Sequence, residues 1–189
     1  AFSLLGVLVG ALALGFYFFR PASAAVETKK SIAVLPVKPI NTANRDELYE
    51  IGIAESIIHR LSAAKNFYVR PLSATRQYTE LAQDPLAAGR EQKTDYVLAA
   101  NYQLADGKIR VTAQLFNVAA GQIEETYKSE KDASGVFAMQ DAIANEVGNL
   151  LFARLAAVVP HKTATKRGTT SEEAYRLYLQ GKNLTAKRK

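Results

Sequence analysis

His59 and His161 are the first candidates for acid/base or metal chemistry in this chain of 189 residues. Glu55 stands four residues before His59, so on a helix the two share a face. One His and one carboxylate make half of a metal site at most, and no Cys or second His stands at a spacing that would complete it. His59 is therefore read as a surface or partly packed residue, and His161 as a solvated linker residue. Asp46, Glu47, Glu50 and Glu55 form a carboxylate cluster on one helix. General acid/base work needs two environments that push two pKa values apart; this cluster reads instead as a solvated helix surface whose acids favour the N-terminal end of the dipole. Gly89-Arg90-Glu91 lacks the glycine spacing of a phosphate cradle, and the sequence contains no G-x-S-x-G, P-loop, G-x-G-x-x-G or H-E-x-x-H motif. Tyr96, Tyr102 and Phe116 could stack nucleobases, but strand aromatics ordinarily pack across strands. The residues thus nominate no catalytic, cofactor-binding or metal site, and the chain is read as a non-enzyme that needs no cofactor.

The elements that carry these residues follow from periodicity. Ser31–Val37 (SIAVLPV) is a nearly continuous apolar run, the pattern of a strand buried on both faces, ended by Pro36 and Pro39. Asn44 is the expected N-cap of a helix whose apolar face is Leu48, Ile51, Ala54, Ile58 and Leu61, running to about Ala64. A short strand over 67–70 follows, stopped by Pro71. Residues 73–83 are expected to be helical, and Asp84-Pro85 to start a second short helix reaching Gln92. Two β-rich runs, 96–104 and 108–118, flank Asp106-Gly107, a strong hairpin signal. Gly121 turns the chain into a third antiparallel strand over 122–129. Ser134 is the expected cap of a last long helix with Val136, Met139, Ile143, Val147, Leu150 and Leu151 on its buried face, reaching about Ala157. The expectation is an α/β fold of order β-α-β-α-α-β-β-β-α, a mixed sheet with helices mainly on one face.

Outside this domain lie an apolar start and a basic end. Residues 1–19 carry no charge and close on Phe16, Tyr17, Phe18 and Phe19 before Arg20, the pattern of a transmembrane helix with an aromatic boundary. Ala22-Ser23-Ala24 resembles a signal-peptide cleavage pattern, but the apolar run is longer than a typical h-region, and an uncleaved anchor is expected. Gly6 and Gly10 stand at the spacing of a helix-dimer motif; chance in a Gly/Ala-rich span is the preferred account and a homodimer the alternative. Residues 20–30 read as a linker, 158–170 as a second, basic linker, and 171–189 as the start of a further helix. The formal net charge of +6 is confined to the tail. Residues 1–160 carry 16 Lys/Arg against 16 Asp/Glu, whereas residues 161–189 carry eight against Glu172 and Glu173. A neutral domain argues against direct nucleic-acid binding. The absence of Cys excludes disulfides and thiolate metal sites. The chain starts without Met inside an apolar run and ends in mid-pattern, so it is read as a segment of a longer protein.

SIAVLPV (31–37), YEIGIAESIIHRLS (49–62), TDYVLAANYQLADGKIRVTAQLFNVAAGQIEE (94–125) and FAMQDAIANEV (137–147), in this order, resemble the TolB N-terminal-like domain of bacterial membrane-anchored regulators. The resemblance covers about residues 31–155, and the domain is expected at 31–157. Two positions depart from it: Val37 stands where the family has Phe, and Ile123-Glu124 where it often has Trp. SEEAYRLYLQGKNL (171–184) resembles the first helix of a tetratricopeptide array, with Ala174, Tyr178 and Gly181 at the expected places. The resemblance implies a single-pass protein of the bacterial inner membrane whose residues 31–189 are periplasmic. It further implies an upstream winged-helix output domain in the manner of CadC-like regulators, through which alone DNA would be bound. The implied partner is a protein or a small ligand outside the membrane. An adenylate cyclase or protein-kinase output, or an exported binding module, is the alternative.

Overall fold

The computed structural model describes residues 29–155 and 171–186. The expected transmembrane helix, most of the 20–30 linker and the 158–170 linker lie outside the described residues. Among those described, no helix is long and apolar enough to cross a membrane.

The chain forms β1 (Lys30–Val34), β2 (Lys38–Pro39), a 3-10 turn (Thr42–Asn44), α1 (Glu47–Leu61), β3 (Phe67–Val69), α2 (Leu72–Thr75) and α3 (Pro85–Gln92). Then come β4 (Tyr96–Ala105), β5 (Lys108–Asn117), β6 (Gln122–Asp132), α4 (Val136–Arg154) and α5 (Glu172–Ala186). The sheet runs β3-β1-β4-β5-β6, with β2 added beside β4. β1 is parallel to both β3 and β4, while β4, β5 and β6 are successively antiparallel. The expected mixed α/β sheet is therefore present, with one extra short strand. The apolar run 31–37 does not continue as one strand, because Pro36 cannot donate to the ladder. The chain steps over it and resumes at Lys38 against Asn101.

Alternation along β4 and β5 sets the layers. Leu98, Ala100, Tyr102, Ile109, Val111, Ala113 and Leu115 face one side, where Ile53, Ile57 and Leu61 of α1 and Ile143, Val147 and Leu151 of α4 close the main core. Ala33, Leu35 and Val97 face the other side and pack against Tyr78 and Ala88. The long helices thus share one face as expected, but α3 and the 76–84 loop cover part of the opposite one. Gly89 of α3 allows this close approach: a Cβ there would stand 2.5–2.6 Å from Val118 and Val97 methyls.

Three local expectations are corrected. The helix proposed for 73–83 is a single turn, Leu72–Thr75. The Tyr78 amide donates to Thr75 O, and Thr79 O accepts from the Arg45 guanidinium at 3.0 Å, so the groups a helix would use are committed elsewhere. Asp46, not Asn44, caps α1, accepting from Leu48 N at 2.8 Å. Asn44 closes the preceding 3-10 turn, capped by Asn41. Ser134 does not cap α4; Gly135 holds that position at φ 72°, without a side-chain bond. At Asp106 and Gly107 φ is 51° and 71°, the paired positive values of a tight hairpin turn.

Candidate functional site

A polar constellation lies near the carboxyl ends of β1, β2 and β4, where α/β sheets ordinarily open a crevice. α1 begins there. Asp46 caps it, and its backbone amide donates to the Tyr102 hydroxyl at 3.2 Å, which in turn donates to Asn44 O at 2.6 Å. Tyr102 can reach this loop because strand alternation points it from β4 under α1, where it packs on Tyr49 at 5.6 Å between ring centroids. Its hydroxyl pKa is raised strongly, first by burial and then by the nearby Glu50 and Asp46 carboxylates. Deprotonation would break its bond to Asn44 O, so the phenol is a structural pin.

One turn into α1, Glu50 is only 6% exposed. Arg45 meets it with a two-pronged bond, Nε to Oε1 at 3.2 Å and Nη2 to Oε2 at 3.1 Å, while the same Nη2 reaches Thr79 O. Arg45 therefore ties α1 to the 76–84 loop. Lys38, 8% exposed, carries its ammonium into this region. Burial lowers its pKa, Glu80 opposes that, and Arg45 adds to it.

α5 closes the constellation from outside. Arg176 Nη1 stands 3.3 Å from Asp46 Oδ2, the Tyr175 hydroxyl donates to Glu55 Oε2 at 3.4 Å, and Leu179 is fully buried in the main core. A cleft of about 430 Å³ remains between α5 and the start of α1, lined by Arg45, Asp46, Leu48, Arg176, Leu179 and Gln180.

The sequence candidates fall in separate places. His59 is exposed on α1, and His161 lies outside the described residues. No group of three or more His, Cys, Asp or Glu able to hold a metal occurs among the described residues. The carboxylate cluster is not uniformly solvated: Glu50 is paired and buried, Asp46 is a cap, and Glu55 meets Tyr175. Gly89 serves packing, Arg90 pairs with Asp84 at 3.6 Å, and Glu91 accepts from Gln77. The stacking platform does not form: Tyr96 and Tyr102 pack with the main core while Phe116 joins the cluster on the opposite face. Sequence reasoning missed the buried Lys38 and the Arg45–Glu50 pair. The apolar run ending at Val37, which is fully buried, was the available hint of burial; Ile40 beyond it is exposed. Nothing local marks Arg45, because its partner is five residues away and the loop carbonyl 34.

Fold and site together define a small mixed-sheet α/β domain whose charged side chains gather where a loop, a helix start and the last described helix meet. The chain belongs to the HilA/YgeH-like transcriptional regulators: the model of that family's second domain matches residues 28–146. A protein named "Putative adenylate cyclase 3" from Rhizobium meliloti (strain 1021) is 27% identical over 154 residues, covering 82% of this chain and 26% of that protein. The chain thus spans about a quarter of that curated relative. Among solved structures, TolB from Acinetobacter baumannii is similar at TM-score 0.46 and 15% identity, covering 66% of this chain and 28% of that one. The PelC dodecamer from Paraburkholderia phytofirmans is similar at TM-score 0.44 and 17% identity, covering 66% of this chain and 88% of that one.

Proposed function

We propose that this chain is the extracytoplasmic sensing or interaction region of a single-pass, membrane-anchored transcriptional regulator. The observation that carries the reading is the match of residues 28–146 to the second domain of a regulator family. A second domain implies another before it, and the apolar segment 1–19 stands where the two would be joined. The site supports recognition over chemistry. Its carboxylates are spent on a cap and on ion pairs, and its phenol is held protonated. No enzymatic step is assigned to it. In this reading residues 1–19 hold the protein in the bacterial inner membrane, and 31–189 lie in the periplasm, where they meet a protein or a small ligand. DNA is contacted only by an upstream winged-helix domain, and α5 opens a tetratricopeptide-like array. Alkaline carbonate extraction tests the anchor: the protein stays with the membrane pellet, whereas release into the supernatant would sink the reading.

A second reading is favoured by the relative from Rhizobium meliloti. There the same domain would accompany a cyclase as an accessory module. The coding sequence upstream of Ala1 separates the two, through a winged-helix pattern in one case and cyclase motifs in the other.

A further inference from the structure

Helix α5 packs against α1. Residues 156–170 separate it from α4, and the family match ends at residue 146, before α5 begins. Among the α5 side chains described, only Leu179 is buried. It enters the main core beside α1, and Arg76 Nη2 donates to its carbonyl at 3.3 Å. Tyr175 packs at its edge, 5.1 Å from Phe137 between ring centroids. The Tyr175 hydroxyl donates to Glu55 Oε2 at 3.4 Å, and Arg176 pairs with Asp46, both side chains of that pair reaching solvent. Leu177 and Tyr178, on the other side, are 62% and 52% exposed. The seam is incompletely filled, as the cleft between α5 and the start of α1 shows. Among the described side chains of this 15-residue helix a single apolar plug enters the core, and the ion pair beside it is screened by solvent.

We propose that the face formed by the first half of α1, α2 and the start of α4 is a helix-docking groove, and that α5 occupies it reversibly as an internal ligand. The groove selects an amphipathic helix with an aromatic residue, an arginine and a leucine at positions i, i+1 and i+4, as Tyr175, Arg176 and Leu179 supply. Asp46 reads the arginine while capping α1, so occupancy of the groove is linked to the loop that Arg45 and Tyr102 hold. In cis the linker supplies α5 at high effective concentration. Release of α5 uncovers the groove without unfolding the sheet.

Native-state hydrogen exchange on the whole chain tests this. Amides of α5 exchange at least ~10-fold faster than those of Ile53–Leu61 in α1, because they open locally and not with the whole domain. Asp46→Asn retains the cap, and Arg176→Gln retains the stem; each speeds α5 exchange roughly two- to fivefold while leaving the centre of α1 unchanged, the range of an exposed ion pair. Because the chain has no Cys, Leu179→Cys and Ile57→Cys, two fully buried positions, give an independent reading through maleimide labelling. Leu179→Cys reacts faster while the far-UV spectrum stays native. Equal rates at the two positions together with equal exchange in α5 and α1 would overturn the proposal, since α5 would then be an integral part of the core. Protection of α5 that rises with protein concentration would overturn the cis assignment, because a second copy would then supply the helix.

Discussion

Arg45 and Glu50 illustrate how single residues decide this fold's local order. In the sequence Glu50 has every appearance of a surface acid, one of four on a helix. It is buried because Arg45 reaches back across the helix start and neutralises it. That partner is not predictable from helical spacing, since a residue in the preceding loop follows no helical period. Replacing Glu50 by Gln leaves the guanidinium with a neutral acceptor and costs about 1–3 kcal/mol, measured as a shift in the urea midpoint; an unchanged midpoint would show that the pair contributes nothing. Tyr127 makes the opposite case. Its buried hydroxyl has no hydrogen-bond partner among the described residues, and burial pushes its pKa up to about 12. A folded-state pKa raised above the unfolded value of about 10 means stability that is whole below pH 10 and lost as pH rises through 12. Tyr127→Phe removes that loss: it matches or exceeds the parent at pH 7, and gains on it by about 1 kcal/mol at pH 11. A large deficit of the variant at pH 7 would reveal a partner for the hydroxyl.

At the scale of elements, the packing of α1 on α4 turns on a glycine and a glutamine. Gln140 is fully buried, and its Nε2 donates to Leu48 O at 2.7 Å. A Cβ at Gly52 would stand 2.2 Å from that same Nε2. The two positions are therefore one interlock. Gly52→Ala costs about 1–3 kcal/mol by overpacking, and in a double-mutant cycle Gln140→Ala recovers part of it; strict additivity would contradict the contact. The long helices and the hairpin were legible, since the helical apolar periods are long and Asp84-Pro85 and Asp106-Gly107 are strong punctuation. Their interlock was not, because glycine carries no pattern and a glutamine among apolar residues looks like a surface intrusion. The failed helix over 73–83 has the same origin. Leu72, Tyr78 and Ala88 had to cover two different faces of the sheet, and tertiary demand overrode local propensity.

For the whole molecule, charge distribution was the most informative coarse feature. A neutral domain with its excess charge in residues 161–189 argued for protein or ligand contacts over nucleic acid, and residues 28–146 match the second domain of a regulator family. The hairpin and the buried face of β5 were readable from alternation in residues 96–118; the strand order β3-β1-β4-β5-β6 and the second packed face under α3 were not. The docking of α5 was not, because Leu179 and Arg176 find partners more than 100 residues away in sequence. The proposed periplasmic placement of the domain is tested most directly at Thr126, exposed at the sheet edge. In a chain without Cys, Thr126→Cys gives a single thiol on the domain surface. With a membrane-impermeant maleimide and an opened outer membrane, this thiol is labelled in cells whose inner membrane is intact. Labelling only after that membrane is broken would place the domain inside the cell and contradict the account.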